Sequence, residues 1–332
     1  MAPSMIDTPP QSADSAAQLL QDLEASKTLP LWAQMTRLNP PEPNPTAVPF
    51  VWKYDSIRPN LLRAGQLVTE KQAERRVLML VNPARDPLVT LPNRVDAPYT
   101  TDTLYAGLQL VMPNETAPAH RHTAFAMRYI IEGNGGFTAV HGRRIRMQKG
   151  DVILTPTWNY HDHGKDGSGP MIWLDGLDLP NFRHFRVHFV EHFSEPRYPA
   201  EDVDTSASPI VFPWDQMKAR LDETEGNWAT QRYLKADGRE ERLNASTSSP
   251  RRQDTLSAVY HVITGKGRSE VGGQTLEWKA GDTFCVPSWH AYQHFADAGE
   301  TVYLYRFDDK PMITALGFYR SAEDDTEKPI SD

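Results

Sequence analysis

Two stretches of this chain repeat one another at a nearly constant offset. Tyr129-Ile-Ile-Glu-Gly-Asn-Gly135 corresponds to His261-Val-Ile-Thr-Gly-Lys-Gly267, and Gly150-Asp-Val-Ile-Leu-Thr-Pro-Thr-Trp158 to Gly281-Asp-Thr-Phe-Cys-Val-Pro-Ser-Trp289. The offset is 132 residues between Gly133 and Gly265 and 131 between Gly150 and Gly281, so the two copies differ by one residue in a hairpin region. Short β-rich runs surround the first copy: Val77–Val81, Gly107–Met112, Met127–Ile131, Val152–Leu154 and Met171–Leu174. Gly, Pro, Asn and Asp punctuate them, which is the texture of a sandwich or barrel built of short strands. A repeat at this period means one folding unit used twice. The expected fold is therefore all-β, with two similar barrels.

The expected divisions follow. Residues 1–74 form an amino-terminal arm with helices, since Leu19, Leu20 and Leu23 lie at helical spacing between Ala16 and Met35. Asn39–Pro45 is a proline-rich extended linker within it. The first barrel covers 75–195 and the second 240–320. Residues 196–239 connect them, with helix around Trp214–Leu221, and 321–332 form an acidic tail.

Composition narrows the function classes. A hydrophobic content of 39% is enough for a sizeable core, and a net charge of −8 argues against a nucleic-acid surface, which needs a basic stripe. A single cysteine, Cys285, permits no intramolecular disulfide and fits a reducing cytoplasm. The amino terminus lacks a secretory signal, and no run approaches the roughly 20 apolar residues of a membrane helix.

His120-Arg-His122 places two imidazoles two residues apart, so on a strand both point to one face. His161 follows the Gly150-Asp151 turn, where an antiparallel strand can bring a third imidazole beside them. Three converging imidazoles read as a metal site, one that would also accept manganese, nickel or zinc. The corresponding positions of the second copy are Arg252, Asp254 and Tyr292, so the second barrel is expected to hold no metal, and His290 and His294 to be structural.

On these motifs the sequence resembles the cupin superfamily. It departs from the usual pattern in two ways: Thr123-Ala-Phe-Ala-Met127 offers no fourth carboxylate ligand, and Trp158 stands where a glycine is usual. Glu74-Arg-Arg-Val-Leu78, Asn82-Pro83, Thr116-Ala-Pro-Ala-His120, Thr155-Pro-Thr-Trp158 and Trp173-Leu-Asp-Gly-Leu-Asp178 are similar to the ring-cleaving branch, the gentisate and salicylate 1,2-dioxygenases. The resemblance runs from about residue 29 to 320. It implies a bicupin of two jelly-roll β-barrels with amino-terminal and linking helices. It also implies one Fe(II) per chain in the amino-terminal barrel, dioxygen and a small aromatic hydroxy acid as substrates, and a homotetramer.

Strand parity from His122 turns Arg128 into the barrel, where it is expected to clamp a substrate carboxylate. His163 shares a face with His161 and could orient the substrate or move a proton. The resemblance adds Tyr105, Gly107 and Gln109 on one strand face, Asp175 near a 5-hydroxyl, and Arg75 as a second anion-binding group. Tyr105 and Asp175 tilt the expectation toward gentisate, giving maleylpyruvate. Salicylates, 1-hydroxy-2-naphthoate and a non-catalytic or sugar-binding bicupin stand as alternatives.

Overall fold

The computed structural model describes residues 13–84, 99–233 and 238–322. It divides into two compact units, Met1–Asn44 and Pro45–Asp332, and the boundary falls inside the proline-rich linker. In the first unit a helix carries Leu19, Leu20 and Leu23 and ends just before Ser26 and Lys27, where the apolar spacing breaks. It runs Ala13–Ala25 and stops where the Ser26 and Thr28 hydroxyls both donate to the Leu23 carbonyl, competing with the helical ladder. Two short turns of helix follow, Leu31–Ala33 and Met35–Leu38. The acidic stretch Glu323–Glu327 lies outside the described residues.

The second unit is all-β and duplicated, as the repeat implies. Its first lobe has two six-stranded sheets. One runs Val211–Phe212, Val152–Thr155, Ala126–Glu132, Met171–Leu177, Tyr105–Val111, Val77–Met79; the other runs Val190–His192, Thr116–His122, His161–Lys165, Gly136–Val140, Arg143–Arg146, Glu201–Asp202. The second lobe pairs a six-stranded sheet built around Ala258–Thr264 and Val302–Asp308 with a three-stranded one, Gln274–Lys279, Lys266–Val271 and Tyr292–Ala296. The duplication extends to irregularities. The ladder between Ala126–Glu132 and Met171–Leu177 skips a residue at Ile131, and that between Ala258–Thr264 and Val302–Asp308 skips at Ile263.

Three central strands of the first lobe are buried on both faces, which is why they read as continuous apolar runs. Leu108, Leu110, Tyr129, Ile172 and Leu174 join Val259, Cys285, Tyr305 and Phe307 of the second lobe in one hydrophobic cluster. Gly176 is required there: a Cβ on it would sit 2.6 Å from the Phe307 ring. The opposite face of the same strands lines the interior of the first lobe.

The Gly-Asp turns have a role that sequence reading did not supply. Gly150 and Gly281 have φ of +90° and +93°, and the aspartate after each accepts from the first N–H of a helix distant in sequence. Asp151 Oδ1 accepts from the Trp214 N–H at the start of Trp214–Glu223, and Asp282 Oδ1 from the Tyr54 N–H at the start of Tyr54–Leu67. Each helix is preceded by a strand that extends the same lobe's sheet: Val211–Phe212 pairs with Val152–Ile153, and Phe50–Trp52 with Thr283–Cys285. The arm thus contributes strand and helix to the second lobe, and the connecting segment to the first. The helix Tyr54–Leu67 was missed because its interior contains Pro59, which argues against helix, and among its residues Leu61 is the one fully buried.

Candidate metal centre

His120 and His122 stand on Thr116–His122, and His161 opens the antiparallel neighbour, where its Cα pairs with that of His120. Their ligand atoms lie within 4.8 Å of one another. Ring centroids are 5.2 Å (His120–His122), 4.6 Å (His120–His161) and 4.8 Å (His122–His161), with planes steeply inclined. Two rings are held from behind: His122 Nδ1 bonds the Ala124 carbonyl at 2.8 Å and His161 Nδ1 the Asn159 carbonyl at 2.9 Å. That fixes the tautomer and presents the Nε2 lone pair forward, the usual support of a metal-binding imidazole.

Electrostatics favour the same use. Burial lowers His122 to about 4, opposed by the bond to the Ala124 carbonyl and helped by Arg128 and Arg75. Burial also lowers His120 and His161, helped by Arg75 at the first and Arg128 at the second. All three are therefore neutral at neutral pH, the form a divalent ion needs. The donor set fits a divalent transition metal held on one side only.

The remaining sides open into a cavity of about 280 Å³. Arg75, Tyr105, Gln109, Arg128, His163 and Asp175 all line it beside the triad. Gly107 is on the same wall and makes room: a Cβ there would meet the Tyr105 hydroxyl and Val77 at 2.6 Å. Arg128 reaches the interior, but not by the parity expected from His122. The strand breaks at Thr123–Phe125, and Arg128 belongs to the next one, opposite Asp175.

That pairing also revises the expectation for Arg128 and Asp175. Arg128 Nε lies 3.2 Å from Asp175 Oδ1, so the buried guanidinium already has a protein carboxylate beside it. The contact is an ion pair without hydrogen-bond alignment, and Arg128 Nη1 also donates to Thr155 Oγ1. Burial raises Asp175 and lowers Arg128, each opposed by the other's charge. Arg75 donates to the Pro118 carbonyl at 2.8 Å, and burial followed by repulsion from Arg128 lowers it. Two guanidiniums against one carboxylate leave the wall attractive to an anion. Gln109 Nε2 and His163 Nδ1 are buried without a hydrogen-bond partner among the described residues.

Sequence reading missed His188 and the apolar lining of Val77, Met79, Ala126, Leu177 and Leu179. His188 comes from an irregular segment, where it bonds Thr123 Oγ1 at 3.0 Å. Val77, Met79, Ala126 and Leu177 stand on strands, whereas Leu179 begins the helix Leu179–His184. Trp158, at the usual glycine position, has φ +63°, a conformation disfavoured for a bulky residue. It is held there by its N–H to the His122 carbonyl at 2.9 Å, by Phe189 and by the Arg121 guanidinium stacked over its ring.

Residues 107–176 match the Cupin domain model. The chain is 33% identical to gentisate 1,2 dioxygenase 1 of Aquipseudomonas alcaligenes across 90% of this chain and 94% of that one. It is 30% identical to 5-aminosalicylate 1,2-dioxygenase of a Comamonas species, over 91% and 88% of the two chains. The salicylate 1,2-dioxygenase of Pseudoaminobacter salicylatoxidans, solved as a gentisate adduct, superposes with a TM-score of 0.83 over 95% of each chain at 31% identity. The triad, its cavity and these whole-length similarities place the chain in the family of gentisate and salicylate 1,2-dioxygenases, ring-cleaving enzymes of bicupin fold.

Proposed function

We propose that the first lobe holds one ferrous ion on His120, His122 and His161 and cleaves gentisate with dioxygen to maleylpyruvate. The observation that carries this reading is a neutral three-histidine face, without a carboxylate ligand, opening on a cavity that carries Arg75 and Arg128. A ligand set that adds no charge leaves the ion's full charge for an anionic 2-hydroxybenzoate. Iron(II), when bound, supplies the redox chemistry by which an electron-rich ring and dioxygen react.

The chain's own residues bind and orient. Arg128 faces the substrate carboxylate, and Asp175 fixes the guanidinium from the neighbouring strand. Arg75 adds a second positive charge. Gln109 Nε2 and His163 Nδ1 are buried without protein partners, an arrangement that costs about 1–3 kcal/mol per group until a ligand oxygen or other partner arrives. His163, kept neutral by burial and then by Arg128, is suited to orient the substrate hydroxyl through a hydrogen bond and to relay its proton without retaining it. Tyr105 and Asp175 border the place for a 5-hydroxyl. Both dioxygen atoms then enter between the carboxyl-bearing carbon and its hydroxylated neighbour.

We further infer a homotetramer in the cytoplasm. Phe185, Val187 and Phe189 are all more than half exposed, a surface better buried against another copy. No helix among the described residues is long and apolar enough to cross a membrane, and the single cysteine, Cys285, is buried. The test of function is oxygen uptake by anaerobically iron-loaded protein with gentisate and a hydroxybenzoate panel. One dioxygen per gentisate, abolished by chelation and restored by iron, is expected. Activity indifferent to chelation would overturn the metal reading, and equal turnover of salicylate would overturn the preference for gentisate.

A further inference from the structure

Trp173 is the largest fully buried side chain among the described residues, and its indole Nε1 is buried without an aligned hydrogen-bond partner. It stands on Met171–Leu177 opposite Gln109 and Ile130, two residues before Asp175 and therefore on the same face. Its ring reaches the facing sheet, where it lies 5.2 Å from the His163 imidazole between centroids, the planes 57° apart. Its N–H is near the Asp175 carboxyl: burial raises that group, and Arg128 and then the Trp173 N–H draw it back. Arg128 Nε, Asp175 Oδ1 and Trp173 Nε1 are all buried and short of hydrogen-bond alignment, although Nε and Oδ1 are 3.2 Å apart. A run of touching side chains thus passes from Arg128 through Asp175 and Trp173 to His163, crossing from one sheet to the other. Pure core filling does not call for an N–H here, since a buried donor without its bond is destabilising. The second lobe uses a plain filler at this level. The repeat offset of 131 carries Trp173 onto Leu304, which is fully buried opposite Val262 as Trp173 is opposite Ile130. Leucine stands where the residue two positions on, Arg306, cannot accept a hydrogen bond; tryptophan stands where Asp175 can.

We propose that Trp173 is a positioning residue of this site: its N–H holds Asp175, and through it the Arg128 guanidinium, in place for the substrate carboxylate, while its ring backs His163. The inference rests on the reading of the cavity as a 2-hydroxybenzoate site. A guanidinium meets a carboxylate best through its planar fork, so the protein carboxylate behind Arg128 decides which way the fork faces. Asp175 can set that direction only if its own carboxyl plane is fixed. The Trp173 N–H supplies the second donor that fixes it, and hydrogen bonds of this kind tighten when the ligand arrives.

Trp173→Phe keeps an aromatic ring beside His163 and removes the N–H. With the iron-loaded full chain, anaerobic calorimetric titration is expected to show gentisate binding weakened about tenfold, as for loss of a hydrogen bond to a charged group. KM should rise by a similar factor while kcat changes less than about threefold, and iron should stay at one per chain. Asp175→Ala removes the acceptor. Because Trp173 acts through Asp175, adding Trp173→Phe to Asp175→Ala should weaken binding by less than about twofold further. A loss of about tenfold that persists in the double variant would show packing alone and overturn the proposal. So would binding unchanged in Trp173→Phe, or iron lost from it. If the smaller ring does not fold, 3-benzothienylalanine at position 173 keeps the bicyclic shape without the N–H and is held to the same outcomes. The underlying function is judged in the unaltered chain: gentisate bound without oxygen uptake would overturn the dioxygenase reading alone, and no gentisate bound would overturn both.

Discussion

The two lobes share a backbone and differ in what fills it. By register, His120, His122 and His161 of the first lobe correspond to Arg252, Asp254 and Tyr292 of the second, and even the His120–His161 pairing persists as an Arg252–Tyr292 bridge. Arg128, Gln109 and Asp175 correspond to Tyr260, Glu241 and Arg306. Gly107 and Leu177, the positions that keep the first cavity open, correspond to Arg239 and Asp308. The second interior bonds to itself. Arg306 donates to the Tyr260 and Tyr292 hydroxyls at 2.8 and 3.0 Å and lies 2.9 Å from Asp308, which also pairs with Arg239 at 3.1 Å. Tyr260, Phe284 and Trp278 stack nearly parallel, and His294 stands edge-on to Tyr260. A buried charge must find a partner. The second lobe supplies charged partners from its own chain, although Glu241 Oε1 and His294 Nε2 make no hydrogen bond; in the first lobe the unpartnered Gln109 Nε2 and His163 Nδ1 belong to residues lining the cavity.

The comparison is broken most directly at the histidines. His120→Ala is expected to reduce bound metal from one per chain to near none and activity at least about a thousandfold. The matching Arg252→Ala should leave metal content at one per chain. Elemental analysis of the folded proteins reads both, and metal loss in the Arg252 variant would show the lobes to be less separate than their interiors suggest.

Arg306→Met is the reciprocal test. It removes the nearer of the two guanidiniums paired with Asp308 and the one 3.8 Å from Glu241 in a closed interior, and is expected to cost about 3 kcal/mol in denaturant unfolding, with metal stoichiometry retained below the transition. Arg128→Lys sharpens the contrast at the equivalent level of the first lobe. Lysine keeps the charge facing Asp175 but loses the fork, so kcat/KM should fall about a hundredfold while metal content stays unchanged. A fall in metal content would place Arg128 in the metal site's support instead.

Much of this contrast was legible in the sequence, because a repeat lets one copy annotate the other. Histidines replaced at the repeat offset by Arg252, Asp254 and Tyr292 already separate a lobe with three converging imidazoles from one without them. Other features could not be read. The Arg128–Asp175 pair joins residues 47 apart and exists only through a ladder whose register a bulge shifts. His188 sits in an irregular segment with no periodicity to expose its direction. The strand Phe50–Trp52 pairs with Thr283–Cys285, more than 200 residues away, and nothing local in either segment announces the partner. Strand parity gave the right face for Arg128 from the wrong strand, since Thr123–Phe125 interrupt the count.

The smallest expected effect lies where the lobes meet. Glu240 follows Arg239 on the strand but faces the other way, into the shared core. There it accepts from the Tyr233 hydroxyl at 2.8 Å, with Tyr129, Tyr305 and Asp151 as its other titratable neighbours. Burial pushes its carboxyl up from 4.5 to about 8, opposed by the Tyr233 bond and reinforced by Asp151. The unfolded chain releases this proton near its ordinary value while the folded chain keeps it, so folding takes up a proton throughout the interval between. Stability contributed at this site is therefore greatest below the unfolded value, declines as pH rises toward about 8, and levels off above it. Glu240→Gln keeps the shape and an acceptor for Tyr233 but does not titrate. Its stability relative to the parent should rise with pH across that window and then stay constant, by up to a few kcal/mol. Thermal or urea unfolding of both proteins from about pH 5 to 9 reads the difference. A flat difference would mean that Glu240 is ionised in the folded protein, and that the core between the lobes tolerates a charge as their interiors do.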